Sequence, residues 1–126
     1  MKKETAAAIL LAALLLAALA NIHFICKLTG ELTELSELAG DAAAREDWES
    51  ANRYAQKAVA LWSDKDGYTH VVLRHGEIDA VSDALYDMLS EISARSSGAA
   101  EAAAQRAVYH LKSLSGMERI RLGSLF

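Results

Sequence analysis

The sequence predicts an all-α protein in which an N-terminal membrane helix precedes two antiparallel helical hairpins, forming a small four-helix-bundle-like domain. Three observations predict this class. The 126 residues include no proline. Much of the 52% apolar share is alanine, which favours helix. The seven glycines fall mostly between segments with helical periodicity, as is typical of helices joined by short turns. Because alanine buries little area per side chain, we expect a thin core.

The first element is an apolar run from Thr5 to Cys26 that contains no charged side chain. Its 22 residues can span a hydrocarbon core of about 30 Å as a helix. Two lysines precede the run and the chain after it is acidic, so the positive-inside rule predicts a cytoplasmic N-terminus. We therefore expect a single-pass cell-membrane protein, with an anchor at residues 1–27 and an extracytoplasmic soluble domain at residues 28–126.

A cleaved secretory signal is an alternative interpretation of the same segment. Ala18 and Ala20 supply small residues at the −3 and −1 positions before Asn21, and cleavage there would release a secreted domain. A lipoprotein signal is disfavoured because bulky residues precede Cys26. Since Cys26 is the single cysteine, no disulfide forms within the chain and packing must supply the stability.

Two amphipathic segments predict the first hairpin, from Leu28 to Trp62. The first helix directly follows the apolar run, can be continuous with it, and fades at Gly40-Asp41. Its apolar stripe comprises Leu28, Leu32, Leu35, Ala39 and Ala42. The second helix has Asp47 as its predicted N-cap, and its stripe places small residues between Trp48 and Trp62.

Two further segments predict the second hairpin, from Tyr68 to Leu114. The third helix, about residues 68–95, follows a polar break and is predicted from apolar residues that recur every seven positions. These residues are Val71, Ile78, Leu85 and Ile92. The fourth helix spans about residues 99–114, and the apolar tail is expected to pack back as a short last turn. The openings at residues 47–51 and 98–102 are weakly alike, which favours a relationship between the hairpins.

The charge of the chain limits its partners. Residues 28–126 carry ten basic and sixteen acidic side chains, a net charge of −6. An acidic domain is repelled by phosphate backbones, so a nucleic-acid partner is disfavoured. The membrane, reached through the N-terminal helix, and a protein in that membrane are the partners that the sequence favours.

One helical face carries side chains that can ligate a metal. His75, Asp79 and Asp83 are spaced by four residues and share a face of a helix, and His110 can reach them across the second hairpin. His70 lies about 140° round the helix from His75 and does not extend this set. A metal- or ligand-binding bundle is therefore the alternative function. The competing interpretation is a structural His75, hydrogen-bonded to Asp79 or to a neighbouring helix.

Catalysis and a bound cofactor are not predicted. Glu77 and His75 point about 200° apart on a helix, so they cannot act together on one substrate atom without a partner helix. No serine stands in a nucleophile-elbow or Ser-x-x-Lys pattern. Trp48 and Trp62, with Tyr54 and Tyr68, are candidates for an aromatic cleft, although their helical spacing favours core packing.

The soluble part resembles the DUF4363 family. The matching residues are Trp48, Ala51, Trp62, Tyr68, the string His75-Gly76-Glu77-Ile78-Asp79, Leu85, Leu111, Leu114, Glu118 and the closing Leu122-Gly123-Ser124-Leu125-Phe126. Two departures occur, since Tyr68 stands where the family has tryptophan and Gly123-Ser124 where it has a Glu-Asn-like pair. The resemblance implies a small protein with an N-terminal hydrophobic segment from Gram-positive, mostly endospore-forming bacteria. It implies no activity.

These observations favour a non-enzymatic interaction or structural module that supports a membrane partner. The residues expected to contribute interaction or packing are Trp48, Trp62, Tyr68, His75, Glu77 and Asp79.

Overall fold

The computed structural model describes the backbone of residues 1–125, together with their side chains except at Val72, Glu118, Arg119, Arg121, Leu122, Ser124 and Leu125. Across residues 1–125 the chain forms five helices and no β-strand, which confirms the predicted all-α class. The helices are α1 (Lys2–Ala44), α2 (Trp48–Asp64), α3 (Asp66–Val72), α4 (His75–Ser93) and α5 (Ser97–Leu125). The predicted apolar end at Phe126 lies outside the described residues.

Helix α1 joins the apolar N-terminal segment to the packed part of the protein without a break. Its 43 residues correspond to about 64 Å of helix. Nearly all of its first 20 residues are exposed, whereas Ile25 and Leu28 are buried, so the predicted domain boundary after residue 27 falls inside a helix. Among the described residues, α1 is the one helix long and apolar enough to cross a membrane, a property that signal sequences share.

Gly40 does not end the first helix, although the sequence suggested that the helix fades there. It is buried within α1, and a Cβ atom at this position would lie 2.9 Å from the Cβ of Ala104 on α5. Real Cβ atoms do not approach so closely. Glycine therefore permits the close approach of α1 and α5, and the stability gained from that packing outweighs the low helix propensity of glycine.

The turns after α1 and after α4 have the same hydrogen bonding. In the first, Asp47 N–H donates to Ala42 O and Glu46 N–H to Ala43 O, which is a Schellman motif. The second, centred on Arg95, repeats this pair of bonds with the carbonyls of α4. Glu46 and Arg95 have φ values of 59° and 56°, the left-handed region that favours glycine. The weak likeness seen in the sequence thus extends to the turns that precede each helix.

The predicted third helix, residues 68–95, is in fact two helices. Leu73 and Arg74 are extended, with ψ values of 157° and 145°, and they separate α3 from α4. The spacing of seven was misleading because Val71 lies on the far side of this break and is 83% exposed, whereas Ile78 is buried. Periodicity alone does not detect two extended residues between helices that keep the same spacing.

Helix α5 is longer than predicted. It continues through Gly116 to Leu125 instead of ending near Leu114 and folding back. The Cys26 thiol and the Ser115 hydroxyl are 3.4 Å apart, so contact between α1 and α5 extends beyond the predicted end of the helix. The expected last turn is wrong because α1 offers a surface along which α5 can continue.

Each long helix packs against two others: α1 contacts α2 and α5, and α4 contacts the same two helices. Helices α1 and α5 run in opposite directions, because Cys26 lies by Ser115 and Ala43 by Ser97. The largest fully buried apolar side chains are Ile25, Leu32, Val81, Leu85, Met88, Ile92 and Leu111. Along α1 from Ala39 onwards and along α5 up to Ala107, the buried side chains are small, comprising Ala39, Ala42, Ala43, Ala100, Ala103, Ala104 and Ala107. The expected thin core is therefore compensated by the close approach of these two helices.

One buried polar group lies in this contact. The Ser36 hydroxyl on α1 is fully buried and has no hydrogen-bond partner among the described residues. A buried hydroxyl loses its hydrogen bonds to water on folding, so Ser36 reduces the stability of the contact between α1 and α5.

Candidate functional site

The string His75-Gly76-Glu77-Ile78-Asp79 forms the first turn of α4. The Glu77 carboxylate accepts a hydrogen bond of 3.4 Å from the Arg74 backbone N–H, which is the side-chain half of a capping box. Ile78 is buried in the core. This string, which contributes to the family resemblance, therefore starts a helix after two extended residues, and this accounts for Glu77 and Ile78 without any ligand.

The candidate metal ligands are dispersed. His75, Asp79 and Asp83 are exposed on α4. His110 lies on α5 and lines a cavity of about 210 Å³ together with Glu77 rather than with His75. Within the part of the chain that the structure describes, no three His, Cys, Asp or Glu side chains are grouped so that they could hold a metal ion.

His70 and His75 approach each other across the break between α3 and α4. Their ring centroids are 6.0 Å apart with planes at 65°, an edge-to-face arrangement. The His70 Nδ1 atom also lies 3.1 Å from a carboxylate oxygen of Asp66. The sequence placed the two rings on different faces of one helix, and the extended Leu73-Arg74 pair brings them together instead.

The two tryptophans lie at opposite ends of α2 and do not form one cleft. Trp62 is buried, and its indole N–H donates a hydrogen bond of 2.8 Å to the Ser82 hydroxyl on α4. Trp48 is half-buried beside a cavity of about 370 Å³ that Ile92 and Arg95 also line. Trp62 therefore joins two helices through both packing and a hydrogen bond, whereas Trp48 lies near the surface.

Tyr68 fastens α3 to α1. Its ring packs edge-to-face on Phe24 with centroids 4.4 Å apart, and its hydroxyl donates a hydrogen bond to the Asn21 side chain. The Lys65 ammonium lies 5.9 Å from the centroid of the Phe24 ring, within cation–π range. We call α3 together with residues 21–28 of α1 the α3 end of the domain. This end begins directly after the exposed apolar stretch of α1.

Sequence reasoning missed the role of Asn21 and Phe24, because both belonged to the segment assigned to the membrane. A signal was present, since the apolar stripe that includes Leu28 and Leu32 continues backwards to Ile25, which is buried. Where the periodic apolar stripe of a soluble helix extends into an apolar run, it indicates which residues of that run pack against other helices. No such signal pointed to the break at Leu73-Arg74.

The opposite end of the domain consists of the two turns, residues 45–47 and 94–96, and we call it the turn end. The Ser97 hydroxyl of α5 donates a 3.1 Å hydrogen bond to Ala43 O, which holds the turns together. Asp47 caps α2 by accepting a hydrogen bond of 3.3 Å from Ser50 N–H.

Nearby charges and hydrogen bonds at the turn end shift the pKa of the Asp47 carboxyl group. Hydrogen bonds from Ser50, first from its side chain and then from its backbone, lower the pKa of Asp47 below its ordinary value. The positive charges of Arg45 and Arg53 act in the same direction. The carboxylate form of Asp47 is therefore the form that the folded chain favours.

The fold and these contacts define the protein as an all-α chain whose N-terminal apolar helix continues into a packed helical domain. The chain belongs to the DUF4363 family: a family model described as a domain of unknown function matches residues 19–125, which confirms the resemblance noted in the sequence. The match includes both the α3 end and the turn end. No curated protein and no solved structure matches the chain.

Proposed function

We propose that this protein is a membrane-anchored, non-enzymatic module that presents a helical domain outside the cytoplasm to a partner in the same membrane. The observation that carries the proposal is the continuity of α1, whose exposed apolar first part leads without a break into a buried second part. A helix that joins both parts fixes the domain at the membrane surface instead of leaving it on a flexible linker.

The proposed architecture of the domain is a small four-helix bundle made of two antiparallel hairpins, α1 with α2 and α4 with α5. The short turns after α1 and after α4 have the same pattern of hydrogen bonds, which supports this arrangement. The contacts that link each long helix to two others support it as well. Helix α3 then serves as the connection between the hairpins.

An interaction role is supported by the surface of the domain. Tyr86 and Tyr109 expose 53% and 68% of their area, and tyrosine is enriched among the residues that dominate binding energy at protein interfaces. The titratable side chains on the exposed face of α4, including Asp79 and Asp83, are dispersed on the surface. This arrangement suits contact with another protein better than chemistry on a small substrate.

Topology and cleavage are tested together. A phosphatase reporter that is active only outside the cytoplasm is fused after the C-terminus, and we expect this fusion to be active. We also expect the intact mass of the protein in the membrane fraction to include Met1. A mass that begins at Asn21 would contradict the anchor and support secretion. An inactive reporter fusion with a correctly inserted α1 would contradict the proposed orientation.

The partner is tested with the full-length chain, cross-linked in intact cells before extraction in mild detergent. We expect a multispanning membrane protein to be captured, and the capture to weaken in a Tyr86→Ala, Tyr109→Ala double variant that unfolds at the temperature of the parent. A matched control is Gln56→Ala with Gln105→Ala, which removes exposed side chains without an aromatic ring. Equal capture by both double variants would contradict a role for the tyrosines, and capture of no membrane protein would contradict the proposal.

The alternative function has its own test. Equilibrium dialysis of the full-length protein against Zn²⁺, Mn²⁺ and Fe²⁺, with His75→Ala as the control, distinguishes a metal-binding bundle from an interaction module. Stoichiometric binding that His75→Ala abolishes would favour the alternative over our proposal. We expect no difference between the two proteins, because His75, Asp79 and Asp83 are exposed and His110 lines a cavity with Glu77 rather than with His75.

A further inference from the structure

We infer that the α3 end docks on the interfacial layer of the bilayer that holds α1, so that the domain rests on the membrane surface at a fixed height. The inference rests on the proposed function, since it requires α1 to remain as an anchor. It adds a second membrane contact that involves a part of the chain far from the anchor in sequence.

Helix α3 lies beside the end of the exposed apolar stretch of α1. Tyr68 contacts Asn21 and Phe24, which directly follow the exposed apolar stretch of α1. At 1.5 Å per residue, Asn21 lies within about one helical turn of Leu19, an exposed residue of that stretch. If the stretch spans the hydrocarbon core, Tyr68 is placed in the interfacial layer, where tyrosine is enriched.

The domain also exposes aliphatic side chains near the apolar stretch of α1. Beyond residue 20, the two most exposed aliphatic side chains among the described residues are Val71 at 83% and Ile120 at 70%. Val71 follows Tyr68 by three residues on α3 and so lies on the same helical face. Ile120 lies on α5 beyond the contact of Ser115 with Cys26, about 7.5 Å further towards the N-terminal side of α1. Val71 therefore belongs to the α3 end, and Ile120 lies level with it along α1.

Basic and acidic side chains both lie at this end. Lys27 and Arg74 are exposed near α3, and Lys65 places its ammonium by the Phe24 ring. Lysine next to apolar surface buries its methylene groups and keeps its charge at the headgroup level. The Asp64 carboxylate lies 3.7 Å from the Lys65 ammonium, and the Asp66 carboxylate lies 3.1 Å from the His70 Nδ1 atom.

The turn end lacks this combination. Its two turns carry Arg45 and Arg95 as well as Glu46 and Asp47, and they expose no large apolar side chain. A cavity of about 370 Å³ between α1 and α5 is lined by Glu37, Asp41 and Glu101, and these carboxylates are repelled by anionic headgroups. Exposed apolar side chains at one end only orient the domain with its α3 end on the bilayer.

The test measures the depth of a spin label in vesicles of phosphatidylcholine and phosphatidylglycerol. The full-length chain carries Cys26→Ser and one new cysteine, at Val71→Cys or Ile120→Cys, with Glu49→Cys at the turn end as the control. We expect labels at 71 and 120 to gain accessibility to oxygen and lose accessibility to a nickel chelate upon reconstitution from detergent. The label at 49 should stay accessible to the nickel chelate in both states.

Flotation of the same vesicles separates the two proposals. If the chain does not float with the lipid, α1 is not a stable anchor and the proposed function fails. If it floats while the label at 71 remains as accessible to the nickel chelate as the label at 49, the anchor holds and the docking inference is wrong. A label at 71 that becomes shielded from both oxygen and nickel would indicate cover by a second copy, and would also overturn the inference.

Discussion

The two ends of the helical domain are stabilised in different ways. At the turn end, two Schellman turns with equal hydrogen bonds bring together helices whose facing side chains are mostly alanine. At the α3 end, larger and partly polar groups connect separate elements, as in the contact of Tyr68 with Phe24 and Asn21. Backbone geometry and close approach maintain the first end, and specific side-chain contacts maintain the second. Substitutions of one type should therefore have different effects at the two ends.

The largest expected effect separates the two tryptophans of α2. Trp62→Ala removes a buried indole and its hydrogen bond to Ser82, and should lower the free energy of unfolding by about 3–5 kcal/mol. Trp48→Ala, at the half-buried position, should cost clearly less. Near-ultraviolet circular dichroism of the full-length protein during thermal unfolding in detergent measures both. Equal costs would contradict the difference in burial between the two tryptophans.

A glycine pair in α1 tests the close approach of the helices. In Gly40→Ala the new Cβ would meet Ala104 at 2.9 Å, so overpacking should destabilise the domain by about 1–3 kcal/mol. Gly30→Ala meets nothing within 4 Å in the same helix. It should stabilise the protein by up to about 1 kcal/mol through helix propensity. Opposite shifts of the thermal midpoint are expected, and an unchanged or higher midpoint for Gly40→Ala would show that Gly40 is not needed for packing.

Ser36→Ala should stabilise the domain. The hydroxyl is buried without a hydrogen-bond partner among the described residues, so its removal should raise the free energy of unfolding by about 1–2 kcal/mol. Ser63→Ala removes an exposed hydroxyl in α2 and serves as the comparison. Denaturant titration measures both variants. A loss of stability in Ser36→Ala would mean that this hydroxyl has a favourable partner.

The left-handed residues of the turn end predict a smaller gain. Arg95→Gly should relieve the strained φ of 56° and stabilise the protein by about 1 kcal/mol. Arg53→Gly, in the interior of α2, should instead destabilise it by a similar amount. The pair is compared by thermal unfolding. If Arg95→Gly is also destabilising, the arginine side chain contributes more than its backbone strain costs.

The smallest effect concerns the pH dependence of the turn end. Hydrogen bonds from Ser50 lower the pKa of Asp47 in the folded chain. The ionised Asp47 carboxylate therefore stabilises the folded state at pH values above its ordinary pKa of 3.8. This stabilisation is lost as the pH falls through the lowered value. Thermal midpoints measured from pH 6 to pH 2 should therefore decrease slightly less for Asp47→Asn, which retains a capping side chain without a charge. Parallel curves for the two proteins would contradict this role.

Residue patterns within single helices were sufficient for much of the fold. The absence of proline, the alanine-rich stripes and the N-cap Asp47 predicted helices, and the start of α2 at Trp48 agrees with the structure. The stripes also predicted most of the buried residues between Leu28 and Leu114. These features are local, because helix propensity and capping depend on neighbours within about one turn.

The sequence predicted less of the candidate site than of the fold. The string that begins at His75 contributed to the family resemblance, but its spacing did not predict that Glu77 caps a helix or that Ile78 fills the core. The contact of Tyr68 with Asn21 joins residues 47 positions apart, and no spacing rule anticipates such a contact. Proximity across elements depends on how the helices pack.

The sequence by itself determined the helical class, the family and the length of the apolar N-terminal segment, because composition and periodicity are properties of short stretches of chain. Only the tertiary structure decided that α1 continues through Gly40, that residues 73 and 74 interrupt a regular spacing, and that α5 extends past Gly116. Each of these depends on a neighbouring helix, since the free energy of packing outweighs local preference where two helices meet closely.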